Sequence, residues 1–449
     1  MSEWRKVKIG DFLKRKRIPI QLESDKEYKL ITIKLYHKGV YLRGNKKGSE
    51  IHSNMYKVSK GDFILSGIDA RNGAFGIVPD SLDGAIVTND FWYFDIDESM
   101  IKKEFFLWLT STPVFLDACQ KASMGETQRI RLQKDAFFNY QIKCPSIEYQ
   151  DEFLARINPI IEKIKIIQSE TEKQTEYAKL LRQNILQQAI EGKLTADWRN
   201  QNPVQKGNPN YDAEALFEQI QKDRINYWKQ NTSKETKNKD LLPIDEFNSS
   251  FPETWKRTCL IELFDFVDYR GITPKKLESG IPLITAANIK EGFLSFESKD
   301  FISDSEYELR NSRGITTKYD LLFTTEAPMG HCAINTLEKT SCGQRVITLK
   351  KYSNINKRQF NTFYCYYIIS SIFQDLLLQK ATGITAKGIK ASILKVIPVY
   401  LPPLKEQEEI VNKVETLLAK VTTLENQIQD RKSLSDKLIF GIIKENLEG

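Results

Sequence analysis

Apolar residues recur at alternating steps of four and three along two stretches of the chain, 145–192 and 402–449. The two stretches align without a gap at a constant offset of 257 residues. This heptad spacing is typical of a long helix that buries one narrow stripe against a partner, so each stretch is predicted to be such a helix. The stripe, called the seam below, is predicted to contain Phe153, Ile157, Ile160, Ile164, Ile167, Leu181 and Ile185 in the first copy and Ile410, Val414, Leu417, Val421, Leu424, Leu438 and Ile442 in the second.

A lone helix with so narrow a stripe would bury too little apolar surface to be stable. The simplest partner of each copy is the other copy, and the alternative is a helix of another chain. Thr171 and Gln174 are polar seam positions, with Arg431 opposite Gln174 in the alignment, and they are expected to fix the register of the pair. Pro159 is expected to kink the first helix or to mark where its regular part begins, because it lacks an amide donor.

The segments that precede the two helices also repeat, as Trp4 and LITIKLYHKGVY (30–41) return in Trp255 and LITAANIKEGFL (283–294). Short β-like runs at 30–33, 63–65, 86–88 and 91–94 alternate with glycine turns, and a helical pattern covers 105–122. We therefore predict an α+β fold in which two similar domains are separated by two long antiparallel coiled-coil helices, as a pseudo-two-fold internal duplication. The predicted parts are a first domain (1–144), a first long helix (145–192), a linker with one helix at 213–229 (193–250), a second domain (251–401) and a second long helix (402–449).

The charge of the chain is uneven. The net charge is +7, but residues 1–48 hold 14 Lys or Arg against 5 Asp or Glu, including the run KRKR at 14–17. Such a patch suits a polyanion, although a solvated basic face is an equal alternative. The six cysteines form no CxxC pair, which argues against a metal site and favours a reducing, cytoplasmic setting. No apolar run is long enough to cross a membrane, so no membrane association is expected.

No motif indicates catalysis or cofactor binding by the chain itself. The sequence NPNY at 208–211 is similar to the Asn-Pro-Pro-Tyr loop of amino-group DNA methyltransferases, but it lacks the second proline and an upstream strand. The sequence GITAKGIK at 383–390 has the glycine spacing of a phosphate loop without its Lys and Ser or Thr. No cofactor or metal is therefore expected, although scattered carboxylates of a metal-dependent nuclease would escape such a search.

Two polar glycine loops occupy equivalent places in the repeat, KASMGETQRIR at 121–131 and KATGITAKGIK at 380–390. Side chains of these types contact phosphates and base edges in DNA complexes, and the alternative is an ordinary polar turn after a helix. Arg71 and Arg43 are weaker candidates of the same kind. The predicted DNA-binding residues of the loops are Lys121, Thr127, Gln128, Arg129 and Arg131 in the first and Lys380, Thr385, Lys387 and Lys390 in the second.

Three sequence features together point to a known family. They are PSIEYQDEF at 145–153, its fuller twin PPLKEQEEI at 402–410, and LRQNILQQAIEGKLTADWRNQNP at 181–203. With these features the chain resembles the specificity subunit of type I restriction-modification enzymes over nearly its full length. The first copy departs from the pattern at Ser146, which replaces the second proline, and at Tyr149, which stands where the second copy has Glu406.

The resemblance implies two target recognition domains that each read one part of a split DNA sequence, with the paired helices as a ruler between them. It also implies that the helices dock two methyltransferase subunits, which bring S-adenosylmethionine, and that restriction and translocase subunits join this core. No catalysis by this chain is implied. Two other classes stay open, a coiled-coil scaffold without sequence-specific DNA binding and a self-contained methyltransferase or nuclease.

Overall fold

The structure, a computed structural model, describes residues 4–124, 131–230, 251–269, 273–352, 355–383 and 387–447. The chain divides into two compact units. Unit 1 comprises Met1–Lys173 and Ile428–Gly449, and unit 2 comprises Gln174–Gln427. Each unit thus holds one of the predicted domains together with a part of each long helix.

Unit 1 contains a four-stranded antiparallel sheet, a five-stranded mixed sheet and two two-stranded ribbons, in the orders β2-β10-β7-β8, β3-β6-β9-β4-β5, β1-β13 and β11-β12. Aromatic side chains fill the core between the four-stranded sheet and the helices. The elements are β1 (Arg5–Lys8), α1 (Ile9–Phe12), β2 (Leu13–Lys16), β3 (Pro19–Ile20), β4 (Glu27–Lys34), β5 (Gly39–Lys47), β6 (Met55–Lys57), β7 (Phe63–Ser66), β8 (Phe75–Ile77), β9 (Ile86–Val87), β10 (Phe91–Ile96), α2 (Lys103–Leu109), α3 (Pro113–Lys121), β11 (Ser123–Met124), β12 (Arg131–Leu132), α4 (Lys134–Asn139), β13 (Gln141–Cys144) and the first part of α5 (Ile147–Ile190).

The four β-like runs predicted in the first domain coincide with strands β4, β7, β9 and β10, except that β9 ends at Val87, one residue before the predicted end. The prediction of one helix over 105–122 is wrong, because α2 ends at Leu109 and α3 begins at Pro113. Proline is favoured in the first turn of a helix and unfavourable further along it. The Thr112 hydroxyl caps the new helix by accepting a hydrogen bond from the Phe115 amide at 3.3 Å.

Unit 2 contains a ribbon β14-β22, a four-stranded antiparallel sheet β15-β21-β18-β19 and a three-stranded sheet β17-β16-β20. The predicted linker helix is α7, which packs on α8 and β14. The elements are the second part of α5, α6 (Ala196–Gln201), α7 (Ala213–Gln230), β14 (Lys256–Cys259), α8 (Leu260–Leu263), β15 (Phe264–Asp268), β16 (Ile281–Ile284), β17 (Asp300–Ile302), α9 (Asp304–Asn311), β18 (Leu321–Thr324), β19 (Cys332–Ile334), β20 (Ser341–Cys342), β21 (Val346–Lys351), α10 (Lys357–Ile369), α11 (Ser371–Lys380), α12 (Ala391–Val396), β22 (Pro398–Leu401) and the first part of α13 (Leu404–Leu447).

The duplication is confirmed by equivalent strand orders in the two units, β2-β10-β7-β8 and β15-β21-β18-β19. Even a buried carboxylate is kept, because Asp62 and Asp320 each precede the central strand of their sheet. Asp62 accepts a hydrogen bond from the Ser59 amide at 2.8 Å, and Asp320 accepts one from the Thr317 amide at 2.7 Å. Each carboxylate therefore fixes the turn that leads into its strand.

A buried glutamine fixes the start of each long helix, which explains why Gln150 aligns with Gln407. The Gln150 amide donates to the Pro145 carbonyl at 3.0 Å, and the Gln407 amide donates to the Pro402 carbonyl at 2.8 Å. Both glutamines are fully buried, so each amide satisfies a carbonyl that water cannot reach.

Parts of the two long helices pack antiparallel within each unit. In unit 2, Arg182 pairs with Glu425 at 2.8 Å, and further along the chain Lys413 donates to the Leu194 carbonyl at 3.0 Å. In unit 1, Gln168 donates to Asp436 at 3.1 Å. These contacts confirm the prediction that each copy of the helix is the partner of the other.

The predicted seam positions differ in burial. Phe153, Ile157, Ile164, Ile185, Ile410, Val414 and Val421 are buried, and Leu417 and Ile442 are partly buried. The other predicted positions, Ile160, Ile167, Leu181, Leu424 and Leu438, are wrong, because they are 37–53% exposed. The stripe on the first helix instead includes Ile161, four positions after Ile157, Gln168, four positions after Ile164, and Arg182, four positions after the buried Ala178. Heptad spacing could not distinguish Ile160 from Ile161, since both are isoleucine and both continue the period.

The first long helix runs as one helix from Ile147 through Pro159 to Ile190. The alternative that Pro159 marks where its regular part begins is therefore wrong. Thr171 is a buried polar residue of the seam, as predicted, and its hydroxyl donates to the Ile167 carbonyl at 2.6 Å. Gln174 is partly buried and Arg431 is exposed.

Candidate nucleic-acid interface

Three loops of unit 1 meet beside the four-stranded sheet. The first loop (67–73) follows β7, the second (88–90) precedes β10, and the third, of which the structure describes 122–124 and 131, follows α3. The Gly67 amide donates to the Asp90 carbonyl at 2.7 Å, and the Leu132 amide donates to the Gly67 carbonyl at 2.8 Å. A Cβ atom on Gly67 would lie only 3.1 Å from the Asp90 oxygen, so glycine allows this close approach.

The predicted residue Arg131 lies where these loops meet. Its guanidinium pairs with the Asp90 carboxylate at 2.9 Å and stays largely exposed. Lys121, at the end of α3, is exposed and pairs with Asp117 at 2.6 Å. The remaining predicted residues of this loop, Thr127, Gln128 and Arg129, lie outside the described residues.

The same three loops meet in unit 2. The first (325–330) follows β18, the second (343–345) precedes β21, and the third, of which the structure describes 381–383 and 387–390, follows α11. The Thr325 amide donates to the Arg345 carbonyl at 3.0 Å, and the Ile389 amide donates to the Thr325 carbonyl at 3.0 Å. Lys387 and Lys390 are exposed on the third loop and Lys380 is partly buried, whereas Thr385 lies outside the described residues.

The charged side chains at the two meeting points differ. In unit 1 the carboxylate of the ion pair is Asp90, on the second loop, and the cation is on the third. In unit 2 the second loop carries the cation, Arg345, which pairs with Glu326 of the first loop at 3.1 Å. A shared backbone scaffold therefore presents different polar surfaces in the two units.

The other two predicted arginines lie in different places. Arg71 is partly buried in the first loop of unit 1, between Asp69 and Gly73. Arg43 is exposed on β5, which is the edge strand of the five-stranded sheet and not one of the three loops.

Sequence reasoning missed two arginines that stack on aromatic rings. The Arg15 guanidinium carbon lies 4.6 Å from the centre of the Trp92 ring, and that of Arg17 lies 5.0 Å from the centre of the Tyr56 ring. Arg17 also donates to the Tyr56 hydroxyl at 2.6 Å. The run KRKR at 14–17 signalled a basic patch, but only the fold brings these distant aromatic residues to it.

The motifs weighed for catalysis have structural roles in the described residues. Residues 208–211 form a turn whose Pro209 and Asn210 carbonyls accept hydrogen bonds from the first amides of α13, Leu404 and Lys405, at 3.2 and 3.1 Å. In the second motif, Gly388 pairs with Thr382 and Glu326 in short β-bridges. The turn at 208–211 thus caps the start of a helix.

The remaining candidates for chemistry are the cysteine thiols and possible metal ligands. All six cysteines are buried and free, and burial raises the pKa of the Cys119 thiol to about 12 and, as the main cause, that of Cys259 to about 12. Such thiols are neutral at physiological pH and are poor nucleophiles. Among the described residues there is no cluster of His, Cys, Asp or Glu that could hold a metal ion. Within the same ranges no helix is both long and apolar enough to span a membrane.

The fold defines a class of internally duplicated proteins. Each unit contains an α+β domain, three polar loops that meet beside its sheet, and parts of two long helices. The chain belongs to the family of type I restriction modification DNA specificity domains, whose model matches residues 1–177 and 252–431.

Similar proteins agree with this membership. The chain is 22% identical over 360 residues to the type I restriction enzyme EcoDI specificity subunit of Escherichia coli, covering 79% of this chain and 71% of that protein. It is 22% identical over 359 residues to the EcoBI specificity subunit of the same species, covering 79% and 67%. A chain in a solved structure concerned with assembly and conformational transition of the type I R-M system matches with a TM-score of 0.64 at 15% identity, covering 99% of this chain and 97% of that one. This last likeness concerns the fold alone.

Proposed function

We propose that this chain is the DNA specificity subunit of a type I restriction-modification complex and reads a bipartite, asymmetric target through its two α+β domains. The observation that carries the proposal is the repeated meeting of three loops with different charged residues in each unit. Base-specific readout needs polar side chains held on a rigid backbone, and equivalent loops with different side chains are expected to read different bases. Two such domains would recognise two unlike half-sites.

The exposed cations around the loops support binding to a polyanion. Arg131 and Arg345 each keep about half of their side-chain surface exposed beside their ion-pair partners. Lys387 and Lys390 are exposed on the third loop of unit 2. Phosphate contacts by such residues would supply affinity and orientation, while the paired arginines would be positioned to reach base edges.

The second part of the proposal is that the long helices bind two copies of one partner, the methyltransferase subunit. In unit 1, the exposed apolar residues Ile167, Leu434 and Leu438 lie beside the Gln168–Asp436 contact, one or two positions away along each helix. We name these three residues apolar patch 1.

Unit 2 has an equivalent surface beside the Arg182–Glu425 contact. Its exposed apolar residues include Leu424, Leu181 and, one helical turn before Leu181, Tyr177; we name these three apolar patch 2. The offset of 257 residues relates Ile167 to Leu424, Tyr177 to Leu434 and Leu181 to Leu438. Two equivalent apolar patches suit two copies of one partner, since exposed apolar clusters of this kind mark protein interfaces.

Under this proposal the chain itself performs no catalysis. S-adenosylmethionine would bind to the methyltransferase subunits, and restriction and translocase subunits would join the complex in the cytoplasm. The long helices would set the gap between the half-sites. Removing seven residues from each helix is then expected to shift the preferred gap and to leave both half-sites unchanged, as judged by selection from a random-spacer library.

Methylation mapping tests the main proposal. The chain is co-expressed with a cognate methyltransferase subunit, and modified positions are mapped across the host genome by long-read sequencing. We expect a single split motif with a fixed gap. Methylation that is absent, or that is unchanged without this chain, would contradict the proposal once assembly has been shown, and it would favour a scaffold without sequence-specific binding.

Native mass spectrometry tests the two docking patches. Leu181→Asp and Leu438→Asp are each expected to remove one methyltransferase subunit from the complex, and the double variant both. Leu309→Asp, a substitution of a more exposed leucine on α9, is the control. Full assembly of the double variant would exclude these patches as docking sites.

A further inference from the structure

We infer that Arg15 and Arg17 form a two-guanidinium clamp for the phosphodiester backbone of DNA beside the loops of unit 1. The inference rests on the proposed DNA-binding function and assigns residues and a ligand group within it. Neither arginine is in the polar loops that the sequence singled out.

Aromatic rings hold both guanidinium groups in place. Arg15 stacks on Trp92 at 4.6 Å and Arg17 on Tyr56 at 5.0 Å, as measured from guanidinium carbon to ring centre. The hydrogen bond from Arg17 to the Tyr56 hydroxyl further restricts the second side chain. A stacked guanidinium loses less freedom on binding and keeps its edge available for a fork of two hydrogen bonds.

Neither group has a counter-ion in the part of the chain that the structure describes. The only side-chain acceptor within reach of Arg15 there is the Asn89 oxygen, at 3.5 Å, and its Nε atom is buried without an acceptor. Lys16, which lies between the two arginines in the sequence, does have counter-ions. It pairs with Asp62 at 2.7 Å and with Asp95 at 3.1 Å. Of the three consecutive cations at 15–17, the two arginines thus have no carboxylate partner among the described residues.

This arrangement is electrostatically costly in the free protein. Burial and, secondarily, the Arg17 charge lower the pKa of Arg15. An anion placed against both guanidinium groups would offset the repulsion between their two positive charges. It would also provide acceptors for their free N–H groups. The phosphate oxygens of DNA are such acceptors, and they lie close to any residue that flanks a base-reading loop.

The position of the clamp fits this role. Arg15 contacts Asn89, and the next residue, Asp90, holds Arg131 at the meeting point of the three loops. The fold itself does not require the arginines. In unit 2 the residue that pairs with β21 in the place of Arg15 is Phe266, and Asp268 stands in the place of Arg17. The clamp is therefore a property of unit 1 alone.

The test uses the complex assembled with methyltransferase subunits. Affinity for a duplex that contains the mapped methylation motif, and for an unrelated duplex of equal length, is measured by fluorescence anisotropy over a range of salt concentrations. Arg15→Gln/Arg17→Gln is expected to weaken binding to both duplexes by the same factor, on the order of tenfold or more, and to reduce the salt slope by about 1.8, or about 0.9 per lost phosphate contact. The methylated motif should not change.

The matched control is Lys26→Gln/Lys60→Gln, which removes the same charge from exposed positions of unit 1 that pair with Glu23 and Asp80. It should leave the slope near that of the wild type. If the glutamine double variant melts at a lower temperature, Arg17→Gln alone is used, because Arg17 is exposed, and a slope reduction of about 0.9 is expected.

The outcomes separate this inference from the proposed function. A wild-type complex that shows no preference between the two duplexes would overturn the proposed function and the clamp with it. A wild-type complex with the preference, but with an unchanged slope in the arginine variants, would overturn the clamp alone. A change in the methylated motif would show that the arginines read bases and would also overturn the phosphate assignment.

Discussion

Arg199 and Glu406 form a partly buried ion pair in unit 2 that joins the linker to the start of the second long helix. Glu406 is only 1% exposed, and its carboxylate also accepts hydrogen bonds from the Thr195 hydroxyl at 2.7 Å and from the Trp255 indole at 2.8 Å. The Glu406 carboxylate thus connects the linker, the residue before β14 and the start of the second long helix.

The first copy has a tyrosine in place of this carboxylate. Tyr149 stands at the position of Glu406, and it packs against Trp4 with ring centres 5.8 Å apart. Trp4 is the equivalent of Trp255, so the duplication keeps the tryptophan and replaces its polar partner with an aromatic one. The departure of Tyr149 from the family pattern is therefore a local exchange of an ionic for an aromatic contact.

Removing the carboxylate should be costly. Glu406→Ala is expected to lower the free energy of unfolding by about 2–4 kcal/mol, because Arg199 and the Trp255 indole lose their acceptor while Arg199 keeps partial access to water. Urea unfolding measures the change. Glu408→Gln is the control, since Glu408 pairs with Lys405 on the surface and its loss should cost less than about 1 kcal/mol. Equal effects of the two substitutions would contradict the assigned role.

The corrected seam can be tested by comparing the stability effects of substituting two isoleucines of the first helix. Ile164 is 2% exposed and Ile160 is 37% exposed, although heptad spacing placed both in the seam. Ile164→Ala is expected to cost about 2–4 kcal/mol through lost burial and a cavity, and Ile160→Ala less than about 1 kcal/mol. Similar losses of stability in urea unfolding would favour the seam predicted from the sequence.

Much of the fold could be predicted because both copies must satisfy the same structural requirements at equivalent positions. Gln150 and Gln407 align because both close the same turn, and Gly39 and Gly292 align because both take a positive φ, of 91° and 95°. Such positions tolerate few alternatives, so their identity survives while neighbouring residues diverge.

The rest depended on contacts that no local pattern records. Gln168 and Arg182 lie on the seam because Asp436 and Glu425 face them across the helix pair. From the sequence alone, a polar residue within a pattern of apolar positions indicates a residue on the surface. The stacking of Arg15 on Trp92 likewise depends on the pairing of β2 with β10, which brings together residues far apart in the chain.

Acid should destabilise the domain of unit 1 through His37. Its ring stacks on Phe75 with centres 5.8 Å apart, and neither ring nitrogen has a hydrogen-bond partner in the described ranges. Burial lowers its pKa from 6.5 to about 4. Between these values the unfolded chain binds a proton that the folded chain excludes, so stability falls as the pH falls through this window and is complete above it.

The size of this effect can be isolated by substitution. Going from pH 7.5 to 4.5 should cost the wild type about 2.5 kcal/mol more than His37→Phe, which keeps an aromatic ring against Phe75 but cannot titrate. Urea unfolding at both pH values measures the difference, and carboxylates that titrate in both proteins cancel. An equal loss in the two proteins would exclude His37 as the source.

The two ion pairs at the loops predict independent changes of specificity. Glu326→Gln should free Arg345 in unit 2, and Asp90→Asn should free Arg131 in unit 1. If these guanidinium groups contact base edges, each release should alter discrimination by about 1–3 kcal/mol at one or two positions, within one half of the methylated motif. The half affected should differ between the two variants, because the loops belong to different domains. Asp304→Asn, which breaks an exposed ion pair with Lys339 on the surface of unit 2, is the control and should leave the motif unchanged. Long-read methylation mapping of each variant measures the result, and a change in both halves from a single substitution would contradict the assignment of one half-site to each unit.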